Sequence, residues 1–226
     1  AIPAATHTAQ APEVEDVHRI DTLAKKYSSP EKGLILFNNT GVELILDELR
    51  DRGSRERISM RFVYSPEYLA WSRLIGGQAI EHATLLNHCI ANQHTLSDAT
   101  IIERMRVVRA SWVAYVDTTS IGVAYTGSKG DELVQFPRSV DFVIPILDAD
   151  TAREDQWRAE KVVVEVRLPA KPDQPVTFHL FAPTLAATVR KRIDDETAEI
   201  ARQLEGWTIV RGRHSEKPRP IGQQKR

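Results

Sequence analysis

The spacing of apolar residues changes along this chain, and each change marks an element. From Glu13 to Tyr27, Val14, Val17, Ile20, Leu23 and Ala24 recur every three or four residues, which predicts a short amphipathic helix closed by Ser28-Ser29-Pro30. Its exposed face begins acidic and ends in Lys25-Lys26, the order that suits a helix dipole. Gly33 to Phe37 reads as a short strand, with Asn38-Asn39 as a turn or cap. A helix over 40–51 is expected next, with Val42, Ile45, Leu46 and Leu49 on one stripe and Gly53 as its stop. Ile58, Met60, Phe62 and Tyr64 then alternate with Arg57, Ser59, Arg61 and Val63, the period of a strand with one buried face. Ser65-Pro66-Glu67 is the best-marked helix start in the chain. Serine accepts the orphan amides, proline fits the first helical position, and glutamate meets the positive end of the dipole. That helix carries Tyr68, Leu69, Trp71 and Ile75 to Gly76-Gly77. A second follows over about 78–91, with Ala79, Ala83, Leu86 and Ile90 as core stripe and His82, Leu85 and Cys89 flanking it. The polar turn Asn92-Gln93-His94 closes this helical insert, and a short helix is expected from Asp98 to Met105.

Beyond Val107 the period shortens to two. Val108, Ala110, Trp112, Ala114 and Val116 alternate with polar or mixed residues. A strand from about Ser120 to Tyr125 follows, then alternating runs through Val140, Phe142, Ile144 and Ile146, through Val162, Val164, Val166 and Leu168, and through Val176, Phe178 and Leu180. Consecutive strands joined by short turns, the last marked by Pro169, Pro172 and Asp173, predict an antiparallel meander rather than βαβ units. A long amphipathic helix from about Pro183 to Leu204 supplies Leu185, Val189, Ile193, Ile200 and Leu204 for cover, and Trp207 to Val210 is a final short strand. The fold class is therefore α+β: an antiparallel β-sheet meander packed by helices, with a helical insert and a long C-terminal helix. Residues 1–12 read as a flexible or partner-bound arm, 13–210 as a single α+β domain and 211–226 as a basic tail.

Composition narrows the function less than the fold. The 226 residues carry 30 Lys+Arg against 31 Asp+Glu, a formal net charge of -1, so no global field selects DNA or a membrane surface. With one cysteine, Cys89, no intrachain disulfide can form, and a reducing cytoplasm is the expected compartment. The N-terminal residues lack the basic start and apolar stretch of a secretory signal, and no window is long and apolar enough to span a membrane, so no membrane role is expected. The strong asymmetry is in the last sixteen residues. There Arg211, Arg213, Lys217, Arg219, Lys225 and Arg226 face one glutamate, which makes them candidate nucleic-acid or partner contacts through salt-dependent phosphate neutralisation.

Other chemical motifs read as structure. Gly127-Ser128-Lys129-Gly130 superficially resembles a phosphate loop but lacks the full spacing and precedes a strand, which makes it a hairpin turn. His82, His88, Cys89 and His94 lie close in sequence without an i, i+4 pair of ligands on one helix face, so no metal site is expected. Asp117 and Asp141 fall within strand patterns, and Arg109, Asp141, Glu165, Arg167 and His179 suit cross-strand charge pairs on polar sheet faces better than a catalytic dyad. No catalytic residue and no cofactor is expected.

The run from Arg57 through Ser65-Pro66-Glu67-Tyr68-Leu69-Ala70-Trp71 to Gly76 and the helix ending near Asn92 resembles the strand, helix start and following helix of the YfdQ-like family. This is a phage and prophage family of unknown function. The C-terminal half is similar in order, from the strand ending Ile144-Pro145-Ile146 to a closing Ile209-Val210-Arg211-Gly212. The resemblance covers about residues 14–212 and carries no catalytic residues. It implies a phage or prophage accessory protein; the leading expectation is a non-enzymatic one, cytoplasmic in a host cell, homo-oligomeric through an exposed sheet face or the helix pair at 66–91, and acting by self-assembly and macromolecular binding. A nucleic-acid-associated accessory factor for phage recombination or replication is the alternative, and an enzyme of unknown reaction the third reading.

Overall fold

The computed structural model describes residues 20–49, 56–107, 138–167, 170–171 and 174–212, together with the backbone of three strands over 112–116, 121–126 and 133–135. The arm over 1–12, the start of the helix expected from Glu13, Gly53, the Gly127-Ser128-Lys129-Gly130 turn, the turn at Pro169, Pro172 and Asp173, and the tail beyond Gly212 lie outside the described residues. The chain folds into two compact units. One comprises residues 1–63 and 189–226, the other residues 64–188.

The first unit holds helix α1 (Ile20–Tyr27) and strands β1 (Leu34–Phe37), β2 (Gly41–Ile45) and β3 (Arg57–Arg61). Helix α1 buries Ile20 and Ala24, one turn apart, as its spacing predicts. The helix expected over 40–51 is instead strand β2, paired antiparallel with β1 and with β3. Asn38 decides this locally. Its Oδ1 accepts the amides of Thr40 (2.7 Å) and Gly41 (3.3 Å), a side-chain turn that folds the chain back at once into a hairpin. Val42, Leu44 and Ile45 are all buried, so both faces of β2 carry buried apolar side chains. A strand buried on both sides loses the alternation that identifies it, and Val42, Ile45, Leu46 and Leu49 then imitate a helical stripe.

The second unit begins with the Ser65-Pro66 helix start. Helix α2 (Pro66–Leu74) is capped by Ser65, whose Oγ accepts the Tyr68 amide at 3.0 Å and donates to the Pro145 carbonyl at 2.6 Å. Ser65 is fully buried, so both bonds are made away from water. Ser65→Ala removes the cap and strands a buried carbonyl. It is expected to lower the unfolding free energy by about 2 kcal/mol, at the upper end for a cap, as read by the urea midpoint.

A two-residue strand, β4 (Ile80–Glu81), follows α2, and only then does helix α3 (His82–Ala91) begin. The helix expected from 78 starts late because Ile80 and Glu81 pair with a strand further along the chain. Its buried side is also not the expected one. Leu85 and Cys89 point inward, whereas Ala79, Ala83 and Ile90 are exposed and Leu86 is half-buried. Helix α4 (Thr100–Val107) buries Ile101, Ile102 and Met105.

Strands β5 (Trp112–Val116), β6 (Ile121–Thr126) and β7 (Leu133–Gln135) form an antiparallel three-stranded meander. Strands β8 (Ser139–Ile144), β9 (Arg158–Arg167) and β10 (Thr177–Phe181) form a second one. With β4 added at its edge, its order is β4-β10-β9-β8. Alternation holds on β8 and β9, where Val140, Phe142, Ile144, Val162 and Val164 face inward. On β10, which has a neighbour on either side, His179 is buried along with Phe178 and Leu180.

The long helix α5 (Leu185–Gln203) follows, and its residues from Val189 onward belong to the first unit. Val189, Ile193 and Ile200 lie on its buried stripe with Leu204 just beyond its end, as the period predicts. The same stripe carries a buried ion pair, Arg192 with Glu196 one turn on, at 2.7 Å. Strand β11 (Thr208–Arg211) then pairs parallel with β1, giving the first unit a four-stranded mixed sheet of order β11-β1-β2-β3. Helices and antiparallel-rich sheets together make the chain α+β, with the long C-terminal helix in place.

Candidate functional site

The helical insert of the second unit concentrates the chemistry that the sequence singles out. Its inner anchor is Trp71 of α2, only 1% exposed. The indole stacks on Phe142 of β8 with ring centres 4.9 Å apart and 8° between planes, and its Nε1 donates to Thr95 Oγ1 at 2.9 Å. His88, on the last turn of α3, meets Trp71 edge to face at 4.5 Å. One turn before Trp71, Glu67 contacts His94 Nε2 at 3.4 Å, and His94 sits in the 3-10 turn that also holds Thr95. The start of α2 and the end of α3 are thus tied through one tryptophan and the turn that follows α3.

Among the described residues the two buried side-chain polar atoms without a hydrogen-bond partner are Glu67 Oε2 and His88 Nε2, both in this cluster. Burial pulls the His88 imidazole below its ordinary value. His82, at the other end of α3, is also lowered by burial, partly offset by its contact with the Met105 carbonyl at 3.0 Å. Burial pushes the Cys89 thiol up to about 11, which keeps it protonated and unreactive. The four residues His82, His88, Cys89 and His94 therefore go to different surroundings. No group of three metal-ligating side chains occurs among the described residues.

The outer face of the same helices mixes large apolar residues with the exposed Arg73, Thr84 and Asn87. Leu69 of α2 is 41% exposed and Ile90 of α3 is 39% exposed, and Ala83 adds to the outward side of α3. Sequence reasoning assigns Ile90 and Ala83 to the core because their spacing with Leu86 makes a helical stripe. Once Ile80 is committed to β4, Leu85 and Cys89 occupy the inner side and that stripe turns outward.

The strand residues weighed as a catalytic pair are held in sheet pairings. Asp141 is exposed and stands opposite Lys161. Glu165 stands opposite His179 and accepts a 2.6 Å bond from Arg167 Nε, which holds its carboxyl below the usual range. His179 is buried with both ring nitrogens engaged, Nδ1 at 2.6 Å from the Gly77 carbonyl and Nε2 at 3.0 Å from Thr177 Oγ1. Asp117 and Arg109 lie outside the described residues. Two buried groups not expected from the sequence are Glu160, which accepts from Thr184 Oγ1 at 2.7 Å, and the Arg192–Glu196 pair. Glu160 shares the inward parity of Val162 and Val164, which is the signal that could have placed it.

Of the basic tail candidates, Arg211 lies in β11. It donates to Asp194 Oδ1 at 2.7 Å and to Asn39 Oδ1 at 3.1 Å, with its guanidinium 5.2 Å from the centre of the Phe37 ring. Its charge therefore serves the first unit's own packing. Arg213, Lys217, Arg219, Lys225 and Arg226 lie outside the described residues. A groove of about 400 Å³ in the first unit is lined by Lys26, Tyr27, Ser28, Lys32, Asp47 and Glu56 among others. Its two ammonium groups face two carboxylates, so it has no net charge to select a ligand by sign.

No helix among the described residues is long and apolar enough to cross a membrane. No family model matches the chain, and neither a curated protein nor a solved structure is found similar to it.

Proposed function

We propose that the chain is a non-enzymatic accessory protein of the phage and prophage YfdQ-like type, working in the cytoplasm by self-association through its helical insert. The observation that carries this reading is the inverted helix α3. It buries Leu85 and Cys89 and keeps Ile90 at the surface, and α2 likewise leaves Leu69 at the surface. Exposed large aliphatic side chains on a pair of helices favour burial against another molecule, at about 25 cal/mol per Å² of apolar surface removed from water. A second copy of the chain is the partner chosen, because a net charge of -1 leaves little repulsion between copies. The strand, Ser65-Pro66 helix start and following helix that carry the family resemblance are the elements β3, α2 and α3, which supports placing the shared feature in this insert.

Light scattering on the full chain tests the reading. The expected mass is a multiple of the single chain, falling toward one chain in the Leu69→Asp, Ile90→Asp double variant. A single-chain mass for the unaltered protein at every concentration would remove the proposal. Binding to DNA that weakens steeply with salt and disappears on deleting residues 213–226 would put the nucleic-acid alternative in its place.

A further inference from the structure

Three observations converge on one side chain of the insert. His88 lies edge to face with Trp71 at 4.5 Å, its Nε2 is buried with no hydrogen-bond partner, and Trp71 is itself locked between Phe142 and the Thr95 hydroxyl. A neutral imidazole tolerates that position as a flat, mostly apolar ring. An imidazolium there would bury a charge whose Nε2–H makes no hydrogen bond, and burying an unpaired charge is costly.

We infer that His88 is a proton-sensitive latch, which holds the C-terminal turn of α3 against Trp71 of α2 while neutral and releases it when protonated.

The groups around His88 fix how the latch behaves. On its own helix, Cys89 stays a neutral thiol, and His82 is turned toward the Met105 carbonyl and the Phe178 ring. From α2 comes Glu67, whose Oε2 is buried and unpartnered while Oε1 faces His94 of the following turn. From β8 comes the Phe142 ring, and Asp141 beside it is exposed. Glu103, Arg104 and Arg106 of α4 are exposed. Glu67 Oε2 and His88 Nε2 are therefore both buried without a hydrogen-bond partner, and no bond joins one to the other.

The sign follows from the burial of the ring. The folded protein favours neutral His88, so its proton affinity lies below the ordinary imidazole value of 6.5. Its contribution to stability is whole above that value and is lost as pH falls through the folded one. Since α2 and α3 also carry the outward Leu69 and Ile90, release loosens the association surface as well. That last clause alone rests on the self-association reading.

The test uses the full chain, with tryptophan emission and near-ultraviolet circular dichroism followed from about pH 8 to about pH 5. The expected result is a cooperative red shift with its midpoint below 6.5. It should be absent from His88→Phe, which keeps the ring without the proton site, and retained in His94→Gln. An unaltered protein whose Trp71 signal stays flat over this range overturns the latch, as does a His88→Phe protein that titrates like the parent. Should His88→Phe fail to fold, histidine imidazole resonances of the unaltered protein decide. One imidazole must titrate together with the Trp71 indole N–H, and independent titration overturns the proposal. Light scattering over the same range separates the two ideas. A titrating Trp71 in a chain that is monomeric throughout keeps the latch and removes the assembly.

Discussion

Trp71→Ala is expected to lower the unfolding free energy by about 3–5 kcal/mol, the range for deleting a large buried aromatic side chain. The indole is almost wholly buried, and removing it breaks the stack on Phe142 and the edge contact with His88. It also leaves Thr95 Oγ1 without its donor, although that hydroxyl keeps its own bond to the Asn92 carbonyl at 2.6 Å. Trp71→Phe should recover part of the loss, because a smaller ring still stacks on Phe142 but cannot donate to Thr95. Urea unfolding of the three proteins measures both steps. Equal midpoints for Trp71→Ala and the parent would mean that the insert is not built on this residue.

The second large effect is expected at Gly41, for a steric reason confined to the first unit. A Cβ built at Gly41 would stand 2.0 Å from the Met60 carbonyl oxygen and 3.0 Å from Arg61 Cα. Both atoms are backbone of β3, Arg61 standing directly across from Gly41 and Met60 across from Val42, so no side-chain rotation relieves the clash. Gly41→Ala must push β2 and β3 apart next to the Asn38 turn, at a cost of about 3 kcal/mol, the upper part of the range for overpacking. Gly212→Ala is the control, because nothing lies within 4 Å of its Cβ position and it should leave thermal unfolding unchanged. A Gly41→Ala protein as stable as the parent would contradict the close approach of these strands.

The elements that sequence reasoning places well are those with one wet face and one dry face. Alternation located β3, β8 and β9, the 3.6-residue period located α5 from Leu185 to the end of the helix, and Ser65-Pro66 marked the start of α2 to the residue. It fails where an element is dry on both sides or too short to show a period. Strand β2 has buried side chains on both faces and no alternation, so Val42 and Ile45 pass for a helical stripe. Strand β4 is two residues long, and nothing local distinguishes Ile80 from the helix after it. That single miss reverses the faces of α3, because residues assigned to the core are the ones left outside. The cluster around Trp71 is illegible for a different reason. Glu67, His88, His94, Thr95 and Phe142 are brought together by chain folding over 75 positions, and spacing along a sequence carries no record of that.

Self-association is expected to cover the outward side of the insert, where Leu69 and Ile90 lie exposed. Hydrogen–deuterium exchange on the full chain, compared between dilute and concentrated samples at neutral pH, measures this residue by residue. Added protection on concentration should fall on the amides of α2 and α3, from Glu67 to Ala91, and leave the sheet of the first unit unchanged. Protection that appears on β3 or β11 instead, or exchange that does not depend on concentration, would contradict it.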